Sequence, residues 1–180
     1  MVKGSGRSIE SYSMFEELVK CGDLMEQYGG HPMAAGLSIK EENVEEFRRR
    51  LNENCTLTEK DLMPKIIIDV PMPVSYINKE LVEEISLLEP FGKGNTKPIF
   101  AQKGLRVLSS RVLGKNRNVA KLQLSDSTGC VMEAVYFGEA DEFVNQVKNS
   151  SSIAVTYYPE INRYQGRETL QIVIRNYLTE

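Results

Sequence analysis

The apolar positions near the start of the chain repeat with helical spacing. Ser13 and Glu16 have the spacing of a capping box, in which two side chains satisfy backbone amides at a helix start. The apolar residues that follow, mostly at three- and four-residue steps, are Met14, Phe15, Leu18, Cys21, Met25 and Tyr28. This pattern predicts one amphipathic helix that ends where Gly29 adopts a left-handed C-cap.

The next apolar positions predict a strand and a second helix. The segment MAAGLSI, residues 33–39, is short, apolar and made of small residues, which is typical of a buried strand. Val44, Phe47 and Leu51 then follow helical spacing. Three consecutive arginines, residues 48–50, lie on the charged side of that helix, where we expect them to be solvated or paired with the preceding glutamates.

Beyond residue 62 the pattern changes twice. The run IIIDV, residues 66–70, predicts a strand, and Asn78 has the position of a cap for a third helix that ends before Pro90. From residue 99 onward five strands are predicted, with a helix between the third and the fourth. VAKLQLSD, residues 119–126, shows the alternation most clearly. This order matches the five-stranded Greek-key barrel called the OB-fold, and a generic small β-domain is the alternative.

The net charge of −3 conceals an uneven distribution. Residues 1–89 have 10 basic and 17 acidic side chains, and residues 126–180 have 4 and 8. Residues 90–125 have no acidic side chain and eight basic ones: Lys93, Lys97, Lys103, Arg106, Arg111, Lys115, Arg117 and Lys121. Such a cluster indicates a polyanion such as nucleic acid as a partner, unless it is only a solvated, loop-rich face.

Composition also limits the class of protein. No apolar run approaches the roughly 18 residues of a membrane span, and the start of the chain lacks the apolar segment of a secretory signal. The three cysteines are odd in number and widely spaced, which favours reduced thiols over disulfides or a zinc site. We therefore expect a soluble, cytoplasmic protein.

Two glycine-containing segments are candidates for phosphate binding. In KGSGRS, residues 3–8, Arg7 can form a bidentate pair with a phosphate and Ser5 can donate its hydroxyl, although similar turns are common without any ligand. In GGH, Gly29 is explained by the predicted C-cap, whereas Gly30 indicates close approach of a ligand. His31 is the single histidine. It is a hydrogen-bond donor to a phosphate oxygen, a general acid or a structural residue.

The chain has no sequence cluster of aspartate and histidine of the kind that holds two metal ions for phosphodiester hydrolysis. No paired nucleophile and base is evident, and there is no glycine fingerprint for a nucleotide. The sequence thus predicts part of an active site without its metal centre.

Four segments together resemble the C-terminal portion of the RecJ family, bacterial single-strand-specific exonucleases of the DHH phosphoesterase superfamily. In chain order these are KGSGRSIES, YGGHPMAAGLSI, NVEEFRRRLNE and LLEPFGKGNTKPIF. GGH followed by MAAGL is the hallmark of the DHH-associated domain, and the LEPFG segment before an OB-fold is more specific to RecJ. The resemblance covers essentially the whole chain.

The resemblance implies a fold and a division of the chain. The fold class is α+β, with a partial α/β DHH-associated domain followed by a five-stranded β-barrel OB-fold. Residues 1–63 would be the C-terminal part of the DHH-associated domain, residues 64–97 a connecting strand and helix, and residues 98–180 the OB-fold. Strands that should cover MAAGL would be missing, so exposed apolar surface could drive dimerisation.

The resemblance also implies a 5′-to-3′ exonuclease on single-stranded DNA in recombination and DNA repair. In the family, Mn²⁺ or Mg²⁺ is bound by the DHH domain, which precedes everything in this chain, so we expect no metal here and no activity from this chain alone. The family pattern assigns His31 to the scissile phosphate, Ser5 and Arg7 to the phosphate at the DNA 5′ end, and Gly29 and Gly30 to close approach of the nucleotide.

Candidates on the OB-fold come from charge and alternation instead of a family motif. Lys115, Arg117 and Lys121 are predicted to contact the DNA backbone, and Tyr158 and Tyr164 to stack on bases, with Tyr136 as a further ring. Each tyrosine is at least as well explained by packing in the core.

Two alternatives belong to other classes of protein. The chain would be a stand-alone single-stranded nucleic-acid-binding module if GGH is only structural. A DHH phosphodiesterase of cyclic dinucleotides or short oligonucleotides is the other alternative, although such small substrates do not need an OB-fold.

Overall fold

A computed structural model describes residues 1–180 of the chain. The chain forms two compact units, Met1–Lys65 and Ile66–Glu180. No helix in either unit has the length and apolar character needed to cross a membrane.

The first unit contains a three-stranded antiparallel sheet and three helices. The order of strands in the sheet is β1-β3-β2, so that β3 is central. In chain order the elements are β1 (Val2–Arg7), α1 (Met14–Lys20), β2 (Met25–His31), β3 (Ala34–Ile39), α2 (Val44–Asn54) and α3 (Glu59–Leu62).

The strand predicted at residues 33–39 is confirmed as β3, in which Ala35 and Ile39 are buried. The second helix is confirmed as α2. Its arginines pair with carboxylates as expected, since Arg48 contacts Glu45 at 3.2 Å and both following arginines contact Glu46. Hydrogen bonds from these two guanidinium groups lower the pKa of Glu46 to about 2.

The first predicted helix is correct only at its start. Ser13 caps it, because its hydroxyl accepts a hydrogen bond from the Glu16 amide at 3.4 Å. The helix ends at Lys20, and a single 3₁₀ turn at Gly22–Leu24 leads into β2. Gly29 is therefore a strand residue and not a helix C-cap. Pairing with β3 determines the conformation of residues 25–31, which helical spacing alone did not reveal.

The second unit contains the five long strands. In chain order its elements are β4 (Val70–Pro71), α4 (Lys79–Ser86), β5 (Phe100–Leu113), β6 (Val119–Ser125), β7 (Val131–Phe137), α5 (Ala140–Lys148), β8 (Ile153–Tyr164) and β9 (Arg167–Thr179). The predicted helix between the third and fourth long strands is confirmed as α5. The order of strands is β4-β5-β6-β7-β9-β8, and β8 also pairs with β5. The five long strands thus form a continuous ring of pairings around a core that includes Leu105, Leu122, Phe143, Tyr157 and Ile172.

Two local predictions for the second unit have different outcomes. Asn78 caps α4, since its side-chain oxygen accepts from the Leu81 amide at 2.8 Å. The strand predicted at residues 66–70 is largely wrong, because only Val70 belongs to β4. The three isoleucines of the run are exposed, and Ile67 is 78% exposed. Their β-branched side chains favour a strand, but pairing with β5 begins only at Val70 and ends at Pro71.

Candidate functional site

Arg7 and His31 lie in one row across the sheet of the first unit. Both pair with Ala34 of the central strand, Arg7 from β1 and His31 from β2. Neighbouring strands are about 4.8 Å apart, so the backbones of these two residues are separated by roughly 10 Å. Residues opposite one another in a sheet project on the same face, and the small side chain of Ala34 leaves the space between them open.

Ser5 and Gly29 form the adjacent row on the same face. Both pair with Gly36 of β3. Successive odd-numbered residues of a strand project to one side, so Ser5 shares its face with Arg7, and Gly29 shares its face with His31. Four of the five residues that the family resemblance assigned to the substrate therefore lie on one exposed face.

The two glycines of GGH differ in what the fold requires of them, and Gly29 is not the predicted helix C-cap. Gly30 has φ +149°, and a Cβ there would collide with the Ala34 carbonyl and lie 2.6 Å from the Ala35 Cα. Its own backbone therefore requires a glycine. A Cβ at Gly29 would meet no atom within 4 Å, so no packing within the protein requires a glycine there. Gly29 therefore leaves open space in which a ligand could approach the backbone, whereas Gly30 is required by its own backbone whether or not a ligand approaches.

The Arg7 side chain lies over Ser5. Its Nη1 donates to the Ser5 hydroxyl at 3.3 Å and to the Gly6 carbonyl at 2.9 Å. No carboxylate pairs with Arg7, in contrast to the arginines of α2. An exposed guanidinium beside a hydroxyl, with no counter-charge, is suited to bind a phosphate.

His31 presents one ring nitrogen for an external partner. Its Nδ1 accepts a hydrogen bond from the Met33 amide at 3.3 Å, across the turn that joins β2 to β3. In the neutral imidazole the proton is then on Nε2, which is free to donate. The turn is fixed from the other side, since the Ser8 amide donates to the Met33 carbonyl at 2.9 Å. The ring is therefore oriented as a hydrogen-bond donor on the exposed face.

The donor set of the chain does not fit a catalytic metal. No group of three or more histidine, cysteine or carboxylate side chains is placed to hold an ion. The rows that contain Arg7 and His31 have hydroxyl, guanidinium and imidazole groups, and the one carboxylate of the three strands, Glu26 at the bulge of β2, lies 3.8 Å from Lys40. These residues can bind and orient a phosphate, whereas metal ligands would have to come from elsewhere.

The three basic candidates of the second unit differ in their surroundings. Lys115 is exposed in the turn between β5 and β6 and has no carboxylate partner. Arg117 forms a two-pronged ion pair with Asp141 of α5, which raises the pKa of Arg117. Lys121 lies 2.8 Å from Glu133 and is less exposed. Two of the three charges are thus already compensated within the unit.

The tyrosine candidates also differ. Tyr164 is 67% exposed at the end of β8, beside the turn to β9. Tyr158 is half-buried, and the ammonium group of Lys97 lies 3.8 Å from its ring centroid. Tyr136 packs in the core, with its ring centroid 4.3 Å from that of Phe143. The ring of Tyr164 is thus accessible for stacking, whereas Lys97 already covers one face of the Tyr158 ring.

Arg111 is a residue that the sequence reasoning did not single out. It pairs in register with Lys121 and lines a surface cleft together with Ser109, Gln123 and Glu133. It has no carboxylate partner, unlike Lys121. The signal in the sequence was its position in the basic window 90–125, but only the register shows that it shares a face with Lys121.

Comparison with known proteins gives matches over both units. The family model of the RecJ OB domain matches residues 68–176, and that of the DHHA1 domain matches residues 1–56. The "Single-stranded-DNA-specific exonuclease RecJ" of Bacillus subtilis is 33% identical over 98% of this chain and 22% of its own length. The protein of the same name from Haemophilus influenzae is 30% identical over 97% of this chain and 31% of its own length.

A solved structure has the same fold. The crystal structure of RecJ from Thermus thermophilus in complex with Mg²⁺ superimposes with a TM-score of 0.76 at 22% identity, over 99% of this chain and 27% of that one. A second structure of that protein contains Mn²⁺ and gives the same TM-score, 0.76. The chain spans about a fifth to a third of the length of these relatives.

Proposed function

The chain belongs to the RecJ family, and on that premise we propose that it is the C-terminal, DNA-holding part of a 5′-to-3′ exonuclease specific for single-stranded DNA. In this proposal the enzyme serves recombination and DNA repair in the bacterial cytoplasm. One observation supports this proposal most directly. Arg7 and His31 both pair with Ala34, so they lie on either side of it on one exposed face of the sheet.

The geometry of that face suits two adjacent phosphates of one strand. Arg7 and Ser5 would bind the phosphate at the 5′ end. The Nε2 of His31, on the other side of Ala34, would donate to the scissile phosphate. Gly29 would let the DNA backbone lie close to the sheet, because no side chain stands in its way. Binding at two points fixes which phosphodiester is presented for hydrolysis.

The metal-dependent step belongs to residues outside this chain. Mg²⁺ or Mn²⁺ would stabilise charge on the phosphate and supply an activated water, as metal ions do in phosphodiester hydrolysis. The residues described here do not fit such ions. In the proposal these residues bind the DNA strand, orient it and donate a hydrogen bond to the scissile phosphate.

The second unit would hold the rest of the DNA strand. The ring of pairings among its five long strands supports interpretation as an OB-fold barrel, a fold that binds single strands by charge and aromatic stacking. Arg111 and Lys115 have no carboxylate partner, whereas Arg117 and Lys121 do. Arg111 and Lys115 are therefore the stronger candidates for contact with the DNA backbone. Tyr164 comes before Tyr158 for stacking, since its ring is more exposed.

Arg7→Ala tests the phosphate site directly. Loss of a charge-assisted hydrogen-bonding group of this kind costs about 1.5 to 3 kcal/mol, so affinity for a 5′-phosphorylated oligonucleotide should fall roughly 10- to 100-fold. Fluorescence anisotropy with labelled DNA measures the change. Arg48→Ala on α2 is the matched control, because it removes the same charge from an exposed residue off this face. Equal affinities of the Arg7 variant and the wild type would contradict the assignment.

Comparison of Arg111→Ala with Arg117→Ala tests whether the second unit binds the DNA backbone. Each single-strand phosphate contact contributes about 0.7 to the slope of log affinity against log salt concentration. We expect Arg111→Ala to reduce the slope by roughly that amount. Arg117→Ala should reduce it less, because Asp141 already neutralises the guanidinium. Titrations at several salt concentrations supply both slopes. A larger effect of Arg117 would show that its ion pair opens to bind DNA.

A further inference from the structure

Ser8, the last residue of the segment KGSGRS, has no role in the proposed function. It directly follows β1 and is half-buried, whereas the preceding Arg7 is exposed. We propose that Ser8 is a positioning residue for His31: it fixes the loop that holds the turn between β2 and β3, and this turn orients the imidazole. The inference rests on the proposed function, because it assumes that His31 donates to the scissile phosphate.

The Ser8 side chain closes the loop between β1 and α1. Its hydroxyl donates to the Tyr12 carbonyl at 2.5 Å. Within the loop, the Tyr12 amide donates to the Ile9 carbonyl at 3.1 Å and forms a turn. The Tyr12 carbonyl lies before the start of α1, outside the hydrogen-bond ladder of that helix. The serine hydroxyl therefore satisfies this acceptor and joins the two ends of residues 8–12.

The two ends of the loop hold the turn between β2 and β3. At one end the Ser8 amide donates to the Met33 carbonyl at 2.9 Å. At the other end the Met14 amide donates to the Pro32 carbonyl at 3.0 Å. The Met14 amide is the first of α1 and has no acceptor within the helix, so it is available for this contact. The proline ring restricts the turn further, because it fixes its own φ angle.

One planar peptide group connects this loop with His31. The Pro32 carbonyl and the Met33 amide belong to the same peptide unit, whose atoms lie in one plane. Its carbonyl accepts from the Met14 amide, and its N–H donates to Nδ1 of His31 at 3.3 Å. The contact with Met14 thus fixes the direction in which the Met33 N–H points. Hydrogen bonds in such a chain polarise one another, which strengthens the contact at Nδ1.

The contact at Nδ1 determines which nitrogen of the His31 ring has the proton. While Nδ1 accepts, the neutral ring donates from Nε2. If the loop loosened, the peptide unit would be free to rotate, and the ring could turn or move its proton to Nδ1. A donor stabilises charge on a phosphate most effectively when it is already oriented before the reaction. The Ser8 hydroxyl would therefore affect cleavage without contact with DNA.

The single histidine allows a direct test in the untagged 180-residue chain. Its two imidazole signals in ¹⁵N NMR spectra belong to one residue, and their shifts report which nitrogen has the proton. The wild type should show the form with the proton on Nε2 and a Met33 amide protected from hydrogen exchange. In Ser8→Ala the two shifts should move toward each other. The protection of the Met33 amide should fall roughly five- to tenfold, as expected when loss of one hydrogen bond loosens the turn.

Two variants are the matched controls. Ser8→Thr retains the hydroxyl and should retain most of the protection and the wild-type imidazole shifts. Ser150→Ala, in the second unit, removes a half-buried hydroxyl that donates to the Val147 carbonyl at 3.0 Å, and it should change neither quantity. If Ser8→Ala does not fold, Ser8→Cys replaces it, because a thiol has a similar size but is only a weak donor.

Cleavage kinetics connect the spectra with the reaction. The protein for this measurement combines the chain with the metal-binding domain of its family. Ser8→Ala should lower kcat roughly five- to tenfold and change KM by less than about twofold, because it disturbs a donor to the scissile phosphate and no charge contact. In a His31→Ala background Ser8→Ala should have no further effect on kcat, because a residue that acts only through the histidine loses its effect with it.

The outcomes distinguish this inference from the proposed function. Altered spectra together with a loss of kcat that requires His31 would support the role of Ser8. Unchanged Met33 protection and imidazole shifts in a folded Ser8→Ala chain would overturn it, and so would an equal loss of kcat with and without His31. Wild-type cleavage in His31→Ala would instead remove the histidine from the proposed function, while the spectra would still decide whether Ser8 orients the ring.

Discussion

Gly30→Ala is expected to lower the free energy of unfolding by about 3 kcal/mol, whereas Gly29→Ala should change it by less than about 0.5 kcal/mol. Gly30 has φ +149°, a conformation that costs a residue with a side chain roughly 1 to 3 kcal/mol. The added Cβ would also collide with the Ala34 carbonyl and approach the Ala35 Cα at 2.6 Å, and both atoms belong to backbone that cannot give way cheaply. Gly29 has neither constraint.

The same pair of variants separates folding from function. Urea unfolding followed by circular dichroism supplies the stabilities, and anisotropy with 5′-phosphorylated DNA supplies the affinities. Gly29→Ala should fold normally and bind DNA more weakly, because its methyl group stands where the DNA backbone would approach. Similar stability losses in both variants would contradict the account of Gly30. Normal stability together with unchanged DNA affinity for Gly29→Ala would remove that glycine from the site.

The sequence supplied the candidate residues of the site but not their arrangement. Spacing alone gave Ser13 as a cap, and alternation gave β6, because both signals are local. Residues 25–28 were wrongly assigned to a helix with its C-cap at Gly29, since their strand conformation depends on pairing with β3, and a hydrophobic pattern contains no information on that pairing. This error assigned Gly29 to a helix C-cap, whereas it is a strand residue with open space beside it.

Charge compensation was equally hidden from the sequence. The basic window at residues 90–125 was visible, but the partner of Arg117 is Asp141, on a helix 24 positions later. Only the folded chain shows that this charge is neutralised and that Arg111 is not. In the isoleucine run, by contrast, β-propensity was strong and no strand formed there, because a strand needs neighbours to pair with.

His31→Ala should lower the rate of DNA cleavage about 100-fold in a protein that combines this chain with the metal-binding domain of its family. The proposed role of His31 is to donate from Nε2 to the scissile phosphate, and loss of one such preorganised donor typically costs roughly 100- to 1,000-fold in kcat. Affinity for DNA should change less than about threefold, because in the proposed function Arg7 and the second unit would supply most of the charge contacts. Release of nucleotides from a 5′-phosphorylated strand with Mn²⁺ measures the rate, and anisotropy with Ca²⁺ in its place measures binding.

His31→Gln is the matched variant that decides between a donor and a structural role. A glutamine amide can donate toward the phosphate but cannot reproduce the Nδ1 contact with the Met33 amide that orients the ring. If donation to the phosphate matters, His31→Gln should recover part of the cleavage that His31→Ala loses. If the histidine only stabilises the turn between β2 and β3, both variants should lose thermal stability and DNA affinity together. Wild-type cleavage in His31→Ala would remove the residue from the mechanism, while leaving the assignment of Arg7 and Ser5 to their own test.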